Sequence, residues 1–183
     1  MKYSLLVLLF AFMLNAQAQE KYFAKDAKVY FLSDTKLEKI EATNNKGVCV
    51  IDATTGAMEF SVLIAGFQFE KALMQEHFQE NYMEMSKFPK ATFKGNIKNF
   101  GTIKWAQDGN YEMEVVGKLT LHGVTKDITN KANVAIKSGV PMAISSFEVL
   151  CADYNINIPS LVKDKVAKSV KIDIAAKLQK LAK

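Results

Sequence analysis

Polar and apolar side chains alternate along most of this chain with a period of two, which is typical of β-strands that bury one face. The alternation is clearest over residues 111–121, where Met113, Val115 and Leu119 share one parity and mostly polar side chains fill the other. We also expect a bulge at Ala65-Gly66 and a hairpin turn at Asp108-Gly109. The pattern predicts about eight strands, distributed over nine extended segments: 28–33, 38–43, 47–52, 57–69, 91–100, 111–121, 127–137, 142–158 and 170–178.

One segment in the middle of the chain has a helical period instead. Over residues 69–85, Leu73, Phe78 and Tyr82 recur at the spacing of one helix face, and glutamates occupy much of the remaining surface. This amphipathic helix is expected to end before Pro89, because the residue that precedes a proline disfavours the helical conformation. A short helical connector is also expected over 161–168.

Short strands at close spacing, with one helix and no repeat or linker, are typical of an antiparallel β-barrel or sandwich. A barrel explains why so many strands have one apolar and one polar face. We therefore predict an all-β fold, an eight-stranded antiparallel barrel with one amphipathic helix across it. A barrel of this size encloses just enough space for side chains or for one small ligand.

The first 18 residues have the organisation of a secretory signal peptide. Lys2 provides a positive start, residues 5–14 are apolar, and Ala16-Gln17-Ala18 matches a small-x-small cleavage site. The apolar run is too short to span a bilayer as a mature helix. We expect cleavage near Ala18-Gln19, a periplasmic or secreted protein, and a single domain over residues 19–183.

The charge of the chain argues against nucleic-acid binding. The 183 residues include 24 basic side chains, all of them lysine, against 19 acidic ones, for a net charge of +5. Arginine is the residue best suited to base readout and bidentate phosphate contacts, and the lysines are interspersed with acids rather than arranged in a stripe. We expect no nucleic-acid partner and at most a transient contact with anionic membrane surfaces.

The two cysteines, Cys49 and Cys151, permit one intramolecular bridge, which an oxidising compartment would allow. Their flanks are those of strand interiors, where a free cysteine behaves as a small hydrophobic residue. A disulfide requires Cα atoms that lie close together, and sequence spacing does not establish that distance. Two separate buried thiols are the favoured interpretation, and a disulfide that closes a long loop stays open as the alternative.

Residues that carry catalysis or bind metals form no recognisable motif. The histidines are His77 in the helix and His122 in a turn, whereas zinc sites use three or four ligands at local spacings. Ser145 lies in a strand rather than in a glycine-flanked elbow, and Asp153 is best explained as a carboxylate bound to backbone at a bulge. We predict no catalytic residue, no metal site and no cofactor. Catalysis would require the side chains of Asp153 and His122 to lie close together, and their positions in the sequence do not establish that.

The remaining signal is the apolar face that the strands and the helix share. These side chains either fill a closed core or line an elongated pocket. Small residues at the same parity, Gly95, Gly117, Ala132 and Ala176, favour a pocket, although they would equally accommodate larger neighbours. The candidate pocket residues are Phe60, Val62, Ile64, Met74, Phe78, Met83, Phe93, Ile97, Leu119, Leu121, Val134, Ile136, Ile172 and Ile174.

Several motifs together resemble a known family of exported proteins. Residues 119–126 read LTLHGVTK, residues 88–95 read FPKATFKG, Met74 precedes His77-Phe78, and Phe147-x-Val149 precedes Asp153-Tyr154-x-Ile156. Their order and spacing are similar to those of the YceI-like family over nearly all of residues 27–178.

The resemblance implies a lipocalin-like barrel whose long interior tunnel holds an isoprenoid or similar amphiphile. We therefore expect an exported protein that binds a long-chain lipid or isoprenoid for transport or storage, as a monomer or a homodimer. Lys90 and Lys126 flank loops beside the shared motifs and are the candidate headgroup contacts. The alternative is an envelope stress protein with a packed barrel that binds a partner through its outer surface.

Overall fold

Eight antiparallel strands close into a barrel, as the computed structural model of residues 20–181 describes. They are β1 Lys21–Asp34, β2 Lys39–Asp52, β3 Ala57–Leu63, β4 Lys90–Ile97, β5 Gly109–Leu121, β6 Val124–Lys137, β7 Val140–Leu150 and β8 Ser169–Lys177. Each strand pairs with the next along the chain, and β8 pairs with β1. A two-residue strand, β9 Gln179–Lys180, adds a further pairing with β1. The predicted fold class is confirmed, and the predicted signal peptide lies outside the described residues.

β5 and β6 form a long regular hairpin, paired without a break from Gly109 to Leu121. Two residues make its turn, His122 and Gly123, with φ angles of 49° and 74°. Tight hairpin turns with positive φ at both central positions match the right-handed twist of the flanking strands. The turn thereby fixes the register and keeps the apolar parity of both strands directed inward.

β2 continues through a polar stretch that the alternation predicted as a gap between two strands. The side chain of Asn44 is fully buried there and satisfied by hydrogen bonds. Its Nδ2 donates to the Leu63 carbonyl at 2.8 Å, and its Oδ1 accepts the Lys46 N–H at 2.8 Å. The pairing register with β1 shifts on both sides of Ala27, which accommodates the irregularity as a bulge.

The helical segment is shorter than predicted at both ends. Helix α1 spans Ala72–His77 and continues as a π-helical turn over Phe78–Tyr82, compared with the predicted range 69–85. Before the helix, Gln68 forms an isolated bridge with β2, which keeps the chain extended. After it, Glu84 has a φ of 41°, a left-handed conformation that terminates helices.

Three other local predictions are corrected by the structure. A 3-10 turn over Ile64–Gly66 stands where a bulge was expected, and the helical connector over 161–168 is reduced to a 3-10 turn over Ser160–Val162. Asp108 ends a long connection rather than a tight hairpin, and its carboxylate accepts the main-chain N–H groups of Ser138 and Gly139. No helix within residues 20–181 is long and apolar enough to cross a membrane.

The barrel has two unlike ends because successive strands run in opposite directions. The end that we call closed carries the connections 53–56, 98–108 and 138–139. The end that we call open carries the connections 35–38, 64–89, 122–123 and 151–168. Within the connection 64–89 lies α1, so the helix belongs to the open end.

The closed half of the barrel is filled with side chains. Tyr22 and Trp105 stack there with ring centroids 4.6 Å apart. The same core contains the buried residues Ile51, Ile97, Ile103, Val134, Ile136 and Leu178. These side chains pack against one another and fill the interior around them.

Candidate functional site

The barrel interior is hollow in its open half. A cavity of about 350 Å³ lies there, within the range of small-molecule sites in proteins. All eight long strands, α1 and the connection 151–168 contribute to its wall, and most of the side chains are apolar. The carboxylate, imidazole and ammonium groups that line it from open-end connections belong to Glu38, His77 and Lys165. We call these three residues the mouth of the cavity.

Four phenylalanines attach α1 and its preceding segment to the barrel beside the cavity. The ring of Phe31 on β1 has its centroid 5.6 Å from those of Phe67 and Phe69 and 5.2 Å from that of Phe78. Phe78 also contacts Phe67 and Phe69, at 5.5 and 5.1 Å. Aromatic pairs contribute about 0.5–1.5 kcal/mol each beyond the area they bury. The cluster therefore fixes the helical segment as one wall of the cavity.

The ring of Phe93 occupies the space over two inward-facing glycines. Gly95 on β4 lies opposite Gly117 on β5. A Cβ atom added to Gly95 or Gly117 would lie 2.6 or 2.7 Å from the Cζ atom of Phe93, closer than van der Waals contact allows. These glycines thus accommodate a larger neighbour, whereas Ala132 and Ala176 line the cavity directly.

Eleven of the fourteen predicted pocket residues line the cavity: Phe60, Val62, Ile64, Met74, Phe78, Met83, Phe93, Leu119, Leu121, Ile172 and Ile174. The other three, Ile97, Val134 and Ile136, are buried in the closed half and lie outside the lining. Strand parity identifies which side chains point inward, but it does not distinguish the packed half of a barrel from the hollow half. The cavity is accordingly shorter than the long tunnel that the resemblance implies.

The structure places neither predicted headgroup lysine at the cavity. Lys90 is exposed at the first position of β4, and the Nζ atom of Lys126 forms an ion pair with Asp153 at 2.8 Å. Lys165 is the lysine that reaches the cavity, from the connection 151–168. Asp153 was expected to bind backbone, and its recorded partner is instead the side chain of Lys126.

Sequence reasoning missed one polar pair within the cavity wall. The side chains of Asn130 on β6 and Ser145 on β7 face inward, and Asn130 Nδ2 donates to Ser145 Oγ at 2.8 Å. The available signal was parity, because Asn130 occupies the same face as Ile128 and Ala132, where an apolar residue was expected.

Three open-end connections meet at the imidazole of His122. Its Nδ1 lies 3.0 Å from the carbonyl oxygen of Tyr154, and its Nε2 lies 3.1 Å from Oε2 of Glu84. The ion pair with Lys87, followed by the hydrogen bond with His122, holds the pKa of Glu84 below its ordinary value. We call Glu84, His122 and Tyr154 the latch, because they join the helical segment to two other connections.

Both cysteines are free, buried thiols that line the cavity. Cys49 lies on β2, and Cys151 begins the 3-10 turn Cys151–Tyr154 that follows β7. Burial raises the pKa of the Cys49 thiol to about 12 and also raises that of Cys151. The interpretation of two separate buried thiols agrees with this placement, and protonated thiols are poor nucleophiles.

The polar groups of the open end contact one another across its connections. Within residues 20–181, no group of three or more His, Cys, Asp or Glu side chains is placed to hold a metal ion. His122 contacts the main chain of Tyr154, next to Asp153, while the Asp153 carboxylate is turned to Lys126. These contacts join connections of the open end to one another.

Comparison with known proteins identifies relatives of the whole barrel. A family model described as a YceI-like domain matches residues 24–178, and no curated protein matches the chain. A polyisoprenoid binding domain from Saccharophagus degradans, implicated in plant cell wall breakdown, superposes with a TM-score of 0.76 at 17% identity, over 88% of this chain and 99% of that one. BcnA from Burkholderia cenocepacia superposes with a TM-score of 0.68 at 19% identity, over 84% and 96%. A Campylobacter jejuni YceI protein superposes with a TM-score of 0.51 at 18% identity, over 75% and 81%. At these identities the likeness establishes the fold.

Proposed function

This chain belongs to the YceI-like domain family, and we propose that it is a binding protein, rather than an enzyme, which holds a long-chain amphiphile inside the open half of its barrel. The ligand would be an isoprenoid or another lipid, carried or stored without a cofactor. The description of one structural neighbour as a polyisoprenoid binding domain supports this class of ligand.

The observation that carries the proposal is the apolar character of the cavity wall. Its charged side chains, Glu38 and Lys165, belong to the mouth, while Phe, Ile, Val, Leu and Met side chains form most of the interior. Each CH₂ group moved from water into such a wall contributes about 0.8 kcal/mol. A ligand whose length is mostly hydrocarbon therefore matches this wall.

Exposed leucines are concentrated around the open end. They are Leu37, Leu63, Leu73, Leu150 and Leu161. One further leucine among residues 20–181 is strongly exposed, Leu181, and it lies at the closed end. Leu161 is 93% exposed and Leu37 is 69% exposed. Their two connections are adjacent, because the Ala167 N–H donates to Ser33 Oγ at 2.8 Å.

This distribution supports transient contact between the open end and a lipid surface as part of the proposed function. Leu37 and Leu161 would enter the apolar layer of the membrane, and the neighbouring Lys36 and Lys163 would contact anionic headgroups. The cavity mouth would then face the bilayer from which a lipid enters. Export after cleavage near Ala18-Gln19, to the periplasm or outside the cell, is part of the same proposal.

The alternative function, an envelope stress protein that acts through its outer surface, requires a filled interior. The closed half meets that requirement through the stacked Tyr22 and Trp105, but the open half does not. We therefore favour ligand binding.

A pair of substitutions on one strand tests the proposal. Ala132 is buried and faces the cavity, whereas Ala135 on the same strand has the opposite parity. Ala132→Phe should weaken uptake of cis-parinaric acid, a fluorescent long-chain fatty acid, by at least about tenfold, while Ala135→Phe should leave it unchanged. If Ala132→Phe does not fold by circular dichroism, Ala143→Leu inserts a smaller group into the same wall. Equal uptake by folded variants of both positions would contradict a binding site in the cavity.

A further inference from the structure

A single side-chain hydrogen bond crosses the apolar wall of the cavity between β6 and β7. It joins Asn130 Nδ2 to Ser145 Oγ at 2.8 Å, roughly midway along both strands. The inward neighbours on β6 are Ile128 and Ala132, and those on β7 include Ala143. Asparagine is depleted in strands, and an apolar residue would pack better at this position. The pair therefore calls for an explanation other than the stability of the sheet.

The pair retains hydrogen-bonding capacity after its internal bond is made. An asparagine amide carries two N–H donors and one carbonyl acceptor, and a serine hydroxyl both donates and accepts. With one N–H given to Ser145, the Asn130 carbonyl, a second N–H and the Ser145 O–H remain. Among residues 20–181, no other hydrogen bond of these two side chains is recorded. These free groups face the cavity, so a ligand oxygen inside it can form hydrogen bonds with them.

The surroundings of the pair determine the charge of that partner. The charged lining residues, Glu38 and Lys165, lie on open-end connections, away from the middle of β6 and β7. A phosphate or carboxylate at the pair would be buried without a counter-charge, which costs far more than the hydrogen bonds return. A neutral hydroxyl or carbonyl oxygen meets no such penalty.

We propose that Asn130 and Ser145 form a polar subsite that hydrogen-bonds a neutral hydroxyl or carbonyl group of the ligand. This inference rests on the proposed function and narrows its ligand class. The ligand is a hydrocarbon chain with a compact, uncharged oxygen group that enters the barrel first. Its chain then extends past the Phe31–Phe78 aromatic contact towards the mouth.

The test compares two probes that share a carbon skeleton: one carries a hydroxyl group, and the other, its dehydration product, has an additional double bond instead. Farnesol and the hydrocarbon farnesene each compete with cis-parinaric acid for the full chain. In the double variant Asn130→Leu with Ser145→Ala, the ratio of farnesol to farnesene affinity should fall about threefold to tenfold. Farnesene affinity itself should stay within about twofold of the natural chain, because Leu has the same number and branching of side-chain heavy atoms as Asn.

The control is Asn133→Leu, which makes the same change on the same strand at an exposed, outward position. It should leave both affinities unchanged. If the double variant does not fold, Ser145→Ala alone, which removes only the hydroxyl, should still lower the ratio. An unchanged ratio in a folded variant would overturn the subsite while leaving the proposed function standing. Failure of the natural chain to take up any of the three probes would overturn the proposed function and the subsite together.

Discussion

His122 and Glu84 are joined by a contact of 3.1 Å between Nε2 and Oε2, which connects the β5–β6 turn to the segment that follows the helix. The other ring nitrogen faces the Tyr154 carbonyl oxygen at 3.0 Å. The Tyr154 carbonyl and the Glu84 carboxylate therefore both lie within hydrogen-bond distance of the same ring. The latch thus depends on one buried imidazole ring that contacts two connections at once.

We predict that His122→Asn loosens the open end without disrupting the hairpin turn. Asparagine tolerates the positive φ of this position, but its short side chain does not span both partners. The free energy of unfolding should fall by about 1 to 3 kcal/mol, and amide exchange should accelerate in residues 84–89 and 151–156. Ser138→Asn, at another position with positive φ, is the control. Unchanged amide exchange in the His122→Asn variant would contradict a role of the latch in joining these connections.

We predict that Gly117→Ala destabilises the barrel by about 1 to 3 kcal/mol, the usual cost of overpacking. The added Cβ atom would meet the main-chain oxygen of Lys94 and lie 2.7 Å from Phe93 Cζ, and main-chain atoms in a sheet do not shift easily. Gly101→Ala provides the control, because nothing lies within 4 Å of its built Cβ atom. Equal melting temperatures for the two variants would show that the Phe93 ring does not require these glycines.

We predict that the open end, and not the closed end, contacts membranes. Leu161→Asp should reduce co-sedimentation with vesicles of phosphatidylcholine and phosphatidylglycerol by about tenfold, given the 1.5–3 kcal/mol associated with burying one leucine. Leu181→Asp makes the same change at the closed end, where the leucine is 50% exposed, and should have no effect. Equal losses in both variants would contradict a specific orientation on the bilayer.

The acid sensitivity of the closed end should depend on Asp108. Hydrogen bonds from the main-chain N–H groups of Ser138 and Gly139 lower its pKa below the ordinary value. A carboxyl group whose pKa is lowered by folding adds stability above its unfolded pKa, and that stability is lost as the pH falls through the folded pKa. The natural chain should therefore melt at a higher temperature than Asp108→Asn near pH 7, and the difference should shrink as the pH falls below the ordinary aspartate pKa of about 3.9. A difference that persists at low pH would contradict the assigned role.

The strands were predictable because each inward position on a closed barrel must be apolar, and this leaves a period of two that β5 displays almost without exception. The polar stretch around Asn44 broke the period without breaking β2, because the bonds of its side chain are formed with a residue distant in sequence. Helix α1 was predicted too long because the Gln68 bridge and the left-handed Glu84 are set by tertiary contacts. The local sequence pattern carries no information about such tertiary contacts.

The site was only partly predictable for a similar reason. Parity identified Phe60 and Leu119 as inward residues, but whether an inward residue meets a cavity or a packed neighbour depends on residues such as Trp105 that fill one half. Asn130 was passed over because it interrupts the apolar pattern, and Lys126 was misplaced because its partner Asp153 lies on another connection. Polar contacts between distant segments can be identified only once the strands are assembled into the closed barrel.

The most direct test of the account is native mass spectrometry of the protein, purified without detergent from its own host. The account predicts a discrete additional mass of lipid size that disappears on organic extraction, and a much smaller occupied fraction for Ala132→Phe than for Ala135→Phe. A spectrum with only the protein mass, together with no uptake from a lipid extract of the same host, would contradict a ligand-holding barrel.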